Sequence, residues 1–160
     1  KSPSSRYKKM ALDDTCTFCT SVGGELIWRD RHCRVIRVEG SEQADFPGFC
    51  RVIWNEHCTE MTDLSPGDSQ YLMAVVSAVE RAIRRLVQPD KINLASLGNM
   101  VAHVHWHIIP RWQNDSHYPR PIWGAATNGV SSAPTDKTAS AADLSAAITD
   151  EMKQIKAFAS

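Results

Sequence analysis

The chain has 160 residues, of which 42% are hydrophobic and 22% are charged. That length suits one globular domain with its own core and is short for two. Eighteen basic and eighteen acidic residues cancel, no apolar run approaches the roughly 20 residues that span a bilayer, and no signal-peptide pattern opens the chain. We therefore expect neither nucleic acid nor a membrane as a partner.

Residues 1–10 are polar and basic, and residues 1–13 are expected to form a loose N-terminal arm. Cys16 and Cys19 then form a Cys-x-x-Cys motif, which is compatible with a redox pair, half of a zinc site or coincidence. The turn signal Gly23-Gly24 follows closely and disfavours the redox alternative, which usually needs the motif to open a helix. The total of five cysteines is odd, which favours a reducing cytoplasm over a secreted disulfide framework.

Three strands are predicted next, over residues 25–30, 33–39 and 49–55. Each is rich in β-branched or aromatic residues, and turn residues separate them. An isolated histidine, His57, lies in the connection that follows the third strand.

A long helix is predicted after this connection. Ser65 can cap its first turn, Pro66 suits the first helical position, and Asp68 lies at the positive end of the helix dipole. The segment 88–90, Gln-Pro-Asp, ends it. An apolar stripe at spacings of three and four indicates that one face is buried in the core, and its members are Leu72, Val75, Val76, Val79, Ile83 and Leu86.

A fourth strand is predicted over residues 91–97, and Gly98-Asn99 is expected to form a tight turn. The turn would return the chain as a hairpin into residues 101–110, where histidine alternates with apolar residues. A period of two is typical of a strand and would place His103, His105 and His107 on one face. Pro110 is expected to end the pairing, because proline lacks an N–H donor.

Three histidines on one face of a sheet allow three interpretations. The strand could simply have a polar, solvated face. The imidazoles could bind a metal ion, since neutral histidine is a common ligand. One of them could instead act as a nucleophile on phosphorus, because the ordinary pKa of histidine, about 6.5, leaves much of it unprotonated at neutral pH. The strand alone does not decide between metal binding and nucleophilic catalysis.

The end of the chain has two parts. Residues 125–140 are rich in Ala, Ser, Thr and Gly and are expected to form a flexible linker. Residues 141–158 show a weak helical periodicity and are expected to form a peripheral helix, with apolar positions at Leu144, Ile148, Met152 and Ile155.

The run from His103 to Ile109 resembles the signature of the histidine triad (HIT) family, in which three histidines alternate with apolar residues. The flanks resemble it too, from the Cys-x-x-Cys motif through His57 to Gly98-Asn99. The resemblance covers residues 14–124, which we expect to be the HIT domain, with residues 125–160 as linker and peripheral helix.

This resemblance implies an α+β fold, in which an antiparallel sheet of about five strands packs against one long helix and a C-terminal helix. It also implies a homodimer, a small-molecule nucleotide as substrate and no organic cofactor. The implied activity is hydrolysis at the α-phosphate of dinucleoside polyphosphates or nucleoside phosphoramidates, similar to bacterial diadenosine tetraphosphate hydrolases and Hint-like hydrolases. The alternatives are a nucleotidyltransferase or phosphorylase, and a nucleotide-binding interaction protein with negligible turnover.

By the same resemblance His105 would attack phosphorus and carry a covalent nucleotidyl intermediate, with His103 and His107 as catalytic neighbours. Asn99 would donate to phosphate where the family commonly has Gln, and Met100 stands where Ser is frequent. Asn is one carbon shorter than Gln, so we expect these differences to affect rate and leaving-group preference. The nucleotide contacts implied by the resemblance are those of Asp30, Asn93, Asn99, Val101 and His107.

Some branches of the family hold zinc, and the matching residues are Cys16, Cys19, His57 and His103. Two thiolates and two imidazoles complete a tetrahedral site, so such a zinc ion would be structural. The alternative is that both cysteines are reduced bystanders and that His103 only orients His105 by hydrogen bonding.

Overall fold

The computed structural model describes residues 12–127, Gly129, Pro134 and residues 136–158. Most of the arm expected at residues 1–13 therefore lies outside the described residues. So does part of the linker expected at residues 125–140.

The centre of the fold is a five-stranded antiparallel sheet with the strand order β1–β2–β3–β5–β4. All five predicted strands are present, and the α+β architecture is confirmed. The strands are β1 Glu25–Arg29, β2 Cys33–Arg37, β3 Cys50–Trp54, β4 Lys91–Ala95 and β5 His105–Arg111.

Four helices accompany the sheet: α1 Thr17–Thr20, α2 Ser41–Asp45, α3 Pro66–Val87 and α4 Ala141–Phe158. The sequence predicts only the two long ones, because helices of four or five residues are too short to show a periodic pattern. A 3₁₀ turn at Met61–Asp63 was also not predicted. In the part of the chain that the structure describes, no helix combines the length and the apolar character needed to cross a membrane.

Helix α3 begins and ends where the sequence predicts. The Ser65 hydroxyl accepts a hydrogen bond from the Asp68 backbone N–H at 3.1 Å, and Pro66 is the first helical residue. Gln88 adopts a left-handed conformation (φ 46°) and closes the last turn. The apolar stripe of α3 is buried against the sheet in what we call the helix-side core, except that Leu86 at its end is partly buried.

Helix α4 differs from the expectation of a peripheral helix. Leu144, Ile148 and Met152 are buried in the helix-side core together with residues of α3 and the sheet. The physical reason is coverage, since one helix covers only part of the face of a five-stranded sheet. The weak periodicity of this segment therefore indicates a second core helix.

The opposite face of the sheet, which we call the site face, has a smaller core of its own. This core lies beneath the N-terminal segment and beside the histidines. Its members include Phe18, Ile36, Phe49, Ile53, Ile109 and Ile122.

Strand β5 differs from the prediction at both ends. It begins at His105, and residues 96–104 form a connection much longer than the tight turn predicted at Gly98-Asn99, although Gly98 does have a positive φ of 76°. It also continues through Pro110, which pairs with Ile92. The ladder with β3 has already ended at Ile108, so Pro110 has a sheet neighbour on one side only and its missing N–H is tolerated.

Candidate active site

The three histidines of the signature all lie on the site face. His105 and His107 are neighbours in β5 with ring centroids 4.9 Å apart, and His103 precedes the strand. Val104 and Ile108 alternate with them and are buried in the helix-side core. The predicted two-residue alternation is therefore present, even though the strand begins later than predicted.

His105 has one ring nitrogen fixed by the backbone. Its Nδ1 lies 2.6 Å from the carbonyl oxygen of His103. Because a carbonyl oxygen only accepts, Nδ1 carries the proton and Nε2 keeps its lone pair. Burial lowers the pKa of His105, against the opposing effect of that hydrogen bond and with a smaller contribution from the charge of Arg51. The ring is thus suited to act as a nucleophile through Nε2.

His107 has the opposite arrangement. Arg51 Nε donates to its Nδ1 at 3.2 Å, so the proton of His107 is on Nε2. Burial, followed by the proximity of His105 and the positive charge of Arg51, lowers the pKa of His107 to about 3. His107 is therefore a neutral hydrogen-bond donor at neutral pH.

Two charged residues at this site were missed by the sequence analysis. Arg51 is held by Glu42, whose Oε2 accepts from Arg51 Nη2 at 3.2 Å, and the guanidinium lies over the ring of Phe49. The one signal for Arg51 is its position in β3, where a charged residue stands between the buried residues Cys50 and Val52. Glu42 lies in the unpredicted helix α2, and no pattern marks it.

A cavity of about 640 Å³ opens above His105 and His107. Its volume lies in the range of ligand-binding pockets. Asn99 and Val101, which were predicted to contact the nucleotide, line it. The polar lining includes Glu42, Arg51, Asn99, His105 and His107, and the apolar lining includes Phe18, Leu97, Met100, Val101 and Trp123.

The side chains of Asp30 and Asn93 are engaged in hydrogen bonds within the fold. Asp30 closes the β1–β2 turn, where its Oδ1 accepts from the backbone N–H groups of His32 and Cys33 and its Oδ2 accepts from the hydroxyl of Tyr71. The side chain of Asn93 accepts from Arg111 Nη1 at 2.7 Å. Neither is among the described residues that line this cavity, so their contact with the ribose stays a prediction.

The four predicted metal ligands are brought together at the other end of the triad. Cys16, Cys19, His57 and His103 offer ligand atoms that all lie within 4.8 Å of one another. Cys16 Sγ is 3.3 Å and Cys19 Sγ is 3.7 Å from His103 Nδ1, and Cys19 Sγ is 3.4 Å from His57 Nδ1. A tetrahedral zinc ion with bonds of about 2.0–2.3 Å separates its ligands by about 3.3–3.8 Å, so the donor set fits.

The surroundings of both histidines also fit a metal ion. His103 Nε2 lies 2.6 Å from the carbonyl oxygen of Trp54 and must donate to it, which leaves the Nδ1 lone pair facing the thiols. His57 Nε2 is 3.7 Å from Asp13 Oδ2. Metal-binding histidines usually donate their second nitrogen to a carbonyl or a carboxylate, as His103 does here.

The fold and site define an α+β domain with a histidine-centred cavity on one sheet face. Residues 23–114 match the family model described as the HIT domain, and the chain belongs to the histidine triad family.

Comparison with individual proteins agrees with this assignment. The chain is 28% identical over 85 residues to a protein of Mycobacterium tuberculosis named AP-4-A phosphorylase, an alignment that covers 49% of this chain and 44% of that protein. The chain spans about half the length of the curated relatives it matches.

Solved structures extend the comparison over more of the chain. A histidine triad protein from Marinobacter aquaeolei has a TM-score of 0.62 and 25% identity, with 83% of this chain and 91% of that chain covered. A structure described as a Zn-bound histidine triad family protein from Mycobacterium smegmatis has a TM-score of 0.55 and 20% identity, with 89% and 96% covered. At 20% identity, the likeness to the Mycobacterium smegmatis protein shows a shared fold only.

Proposed function

We propose that this protein is a nucleotide hydrolase that acts at the α-phosphate of dinucleoside polyphosphates or nucleoside phosphoramidates through a nucleotidyl-histidine intermediate. The observation that supports this best is the state of His105. Its Nδ1–H is bound to the carbonyl oxygen of His103, so the Nε2 lone pair is available in a ring that lines the cavity.

In the proposed first step, Nε2 of His105 attacks the α-phosphorus. A P–N bond forms as the bond from phosphorus to the leaving group breaks. In the second step, water attacks the same phosphorus, breaks the P–N bond and releases a nucleoside monophosphate. Imidazole serves in both steps because it is a good nucleophile and a good leaving group.

The charge that develops on the phosphoryl oxygens needs hydrogen-bond donors already in place. His107, through Nε2–H, and the amide of Asn99 are the proposed donors, and both line the cavity. The apolar side chains Leu97, Met100 and Trp123 are half-exposed or exposed around it and offer a surface for a nucleobase.

A structural zinc ion is the proposed cofactor, held by Cys16, Cys19, His57 and His103. Support comes from the short separations of the four ligand atoms and from the carbonyl that fixes the ring of His103. Zinc there would tie the segment around Cys16 to the histidine whose carbonyl oxygen orients His105.

Transfer to phosphate instead of water is a second candidate, because the relative in Mycobacterium tuberculosis is named a phosphorylase. In that reaction inorganic phosphate attacks the nucleotidyl-histidine. With an adenine nucleotide the product would then be ADP rather than AMP.

The test is to incubate the protein with α-labelled diadenosine tetraphosphate, quench in alkali and map the labelled peptides. We expect the label on His105 in the wild type, no label in His105→Ala, and an unchanged label in His117→Ala, whose ring is hydrogen-bonded to Ser116 and does not line the cavity. Absence of label, with neither dinucleoside polyphosphate nor phosphoramidate cleaved, would favour an interaction protein with negligible turnover. Adding phosphate and measuring ADP against AMP separates phosphorylase from hydrolase.

We also propose that the HIT domain spans residues 14–124, that the protein forms a homodimer and that it is cytoplasmic. Sedimentation of the full chain would give its mass in solution and test the homodimer.

A further inference from the structure

Arg51 and His107 are directly opposite each other on adjacent strands. They form a register pair between β3 and β5, and both side chains are on the site face. Residues paired in this way have side chains in reach of each other. Here the contact is specific, with Arg51 Nε donating to His107 Nδ1 at 3.2 Å.

Arg51 is itself held in place from two other directions. Glu42 Oε2 accepts from Nη2 at 3.2 Å, and the guanidinium carbon lies 5.5 Å from the centre of the Phe49 ring. The side chain of Arg51 is 19% exposed, so it is mostly shielded from water. A guanidinium held by an ion pair, a ring and a histidine has little freedom to move away.

This contact acts together with burial against the imidazolium form of His107. Arginine has five donors and no acceptor, so a proton on Nδ1 would point at another N–H and place two positive charges in contact. The groups that face His107 are Arg51 from β3, His105 from its own strand, and the rings of Phe49 and Trp123. Glu42 is the acidic residue among the described residues that line the cavity, and it is paired with Arg51.

A neutral imidazole donates a hydrogen bond but gives up its Nε2 proton only to a strong base. The two kinds of proposed substrate differ in what they require. Breaking a phosphoric anhydride bond releases a phosphate anion, which leaves without a proton. Breaking a P–N bond to an alkylamine releases a nitrogen that must gain a proton as the bond breaks.

We propose that Arg51 is a positioning residue that holds His107 as a neutral Nε2–H donor and thereby makes the site selective for phosphoric anhydrides over alkyl phosphoramidates. The proposal rests on the proposed function for its kinetic part. Its structural part, the protonation state of His107, stands independently and is measured without substrate.

The first test uses two-bond ¹H–¹⁵N spectra of the histidine rings in the wild type, Arg51→Leu, Arg51→Lys and the exposed control Arg29→Leu. We expect His107 in the wild type and in Arg29→Leu to stay neutral, with its proton on Nε2, down to pH 5. In Arg51→Leu we expect the ring to gain its second proton at a higher pH than in the wild type, because the guanidinium is gone while burial still opposes the charge, and in Arg51→Lys we expect a smaller rise. The proposal would be overturned if His107 were protonated in the folded wild type at pH 6. It would also be overturned if His107 titrated in Arg51→Leu as it does in the wild type.

The second test compares kcat/KM for diadenosine tetraphosphate and for an adenosine 5′-phosphoramidate of an alkylamine. Because a positioned acid contributes about 10²- to 10⁴-fold, we expect Arg51→Leu to shift the ratio of the two kcat/KM values by at least about 10-fold toward the phosphoramidate at pH 6. The shift is expected in kcat rather than KM. An unchanged ratio, or an equal loss for both substrates, would show that Arg51 only binds substrate or supports the fold.

Failure of the two proposals is distinguishable. If the wild type cleaves neither substrate while His107 has the expected tautomer, the proposed function fails and the role of Arg51 in holding His107 remains. If the wild type cleaves the phosphoramidate as readily as the anhydride, the proposed selectivity is wrong although the hydrolase assignment holds.

Discussion

The two ends of the triad differ in the partners that the fold gives to the same kind of residue. His103 turns Nδ1 toward the thiols of Cys16 and Cys19, while its Nε2 donates to a carbonyl oxygen. His107 turns Nδ1 toward the guanidinium of Arg51. The ring of His103 offers its Nδ1 lone pair to a site suited to a metal cation. The Nδ1 lone pair of His107 already accepts a hydrogen bond from a cation, the guanidinium of Arg51.

His105 lies between them and has the opposite tautomer, because its Nδ1 is held by a carbonyl oxygen. The three histidines are equivalent in the sequence pattern, and the hydrogen-bond partner of each ring decides what it can do. Residues 103–107 thus contain a proposed metal-binding histidine, a proposed nucleophile and a neutral donor within five residues of chain.

The largest effect is expected from removing a ligand at the His103 end. Cys16→Ser should abolish stoichiometric zinc binding and destabilise the protein, because the energy of a structural metal site contributes to folding. A loss of about 3 kcal/mol would lower the melting temperature of a domain this size by about 6–12 °C. Metal analysis and calorimetry measure both quantities.

The matched control is Cys58→Ser. This thiol is buried, lies outside the cluster and donates to the carbonyl oxygen of Glu60, which a serine hydroxyl can also do. We expect it to keep its zinc and most of its stability. Equal zinc contents in the two variants would argue that Cys16 and Cys19 are bystanders.

A smaller effect is expected at the His107 end when the pH is lowered. Burial lowers the pKa of His107 to about 3, so between that value and about 6.5 the unfolded chain binds a proton that the folded chain does not. Above pH 6.5 the ring is neutral in both the folded and the unfolded chain, so its burial does not change stability with pH. As the pH decreases below 6.5, the free energy of unfolding falls. At pH 5 the loss from this residue is about 2 kcal/mol.

His107→Gln removes this titration, so its free energy of unfolding should fall less between pH 7 and pH 5 than that of the wild type. Urea unfolding at the two pH values measures the difference. His103 and His105 also have lowered pKa values, owing mainly to burial, so some acid sensitivity should persist. Identical pH dependence in the two proteins would mean that His107 is not held neutral.

The smallest effect is expected from Asp13→Asn. The carboxylate lies 3.7 Å from His57 Nε2 and is 41% exposed, so it supports a ligand only from outside the cluster. Groups in this position usually contribute about 10- to 100-fold to metal affinity, and exposure places Asp13 at about 10-fold or less. Competition with a zinc chelator measures the change, and a loss as large as that of Cys16→Ser would assign Asp13 a direct role.

The fold was largely predictable because its main elements have strong local signals. Helix α3 has a capping serine, a proline at its first position and an apolar stripe of three- and four-residue spacing. Strand bounds were less accurate, and β5 shows why. Whether Pro110 can remain in a strand depends on which side has a partner, and only the sheet order decides that.

The site was predictable only in part. The triad and the cluster around Cys16 have recognisable residue types and spacings, so the sequence analysis named them. Asp30 and Asn93 were assigned by resemblance, and since neither is among the described residues that line the cavity, their role stays a prediction. Arg51 and Glu42 were missed because they reach His107 from β3 and α2, and no spacing along the chain encodes that contact.

The sequence by itself determined the two long helices, the approximate positions of the five strands, the alternation that puts three histidines on one face, and the family. Those features depend on local periodicity and on short motifs, which a single chain displays directly. Only the tertiary structure decided which ring nitrogen of each histidine carries the proton and which charge faces it. A histidine can adopt either tautomer, and the choice is made by donors and acceptors from other strands and loops that fold against it.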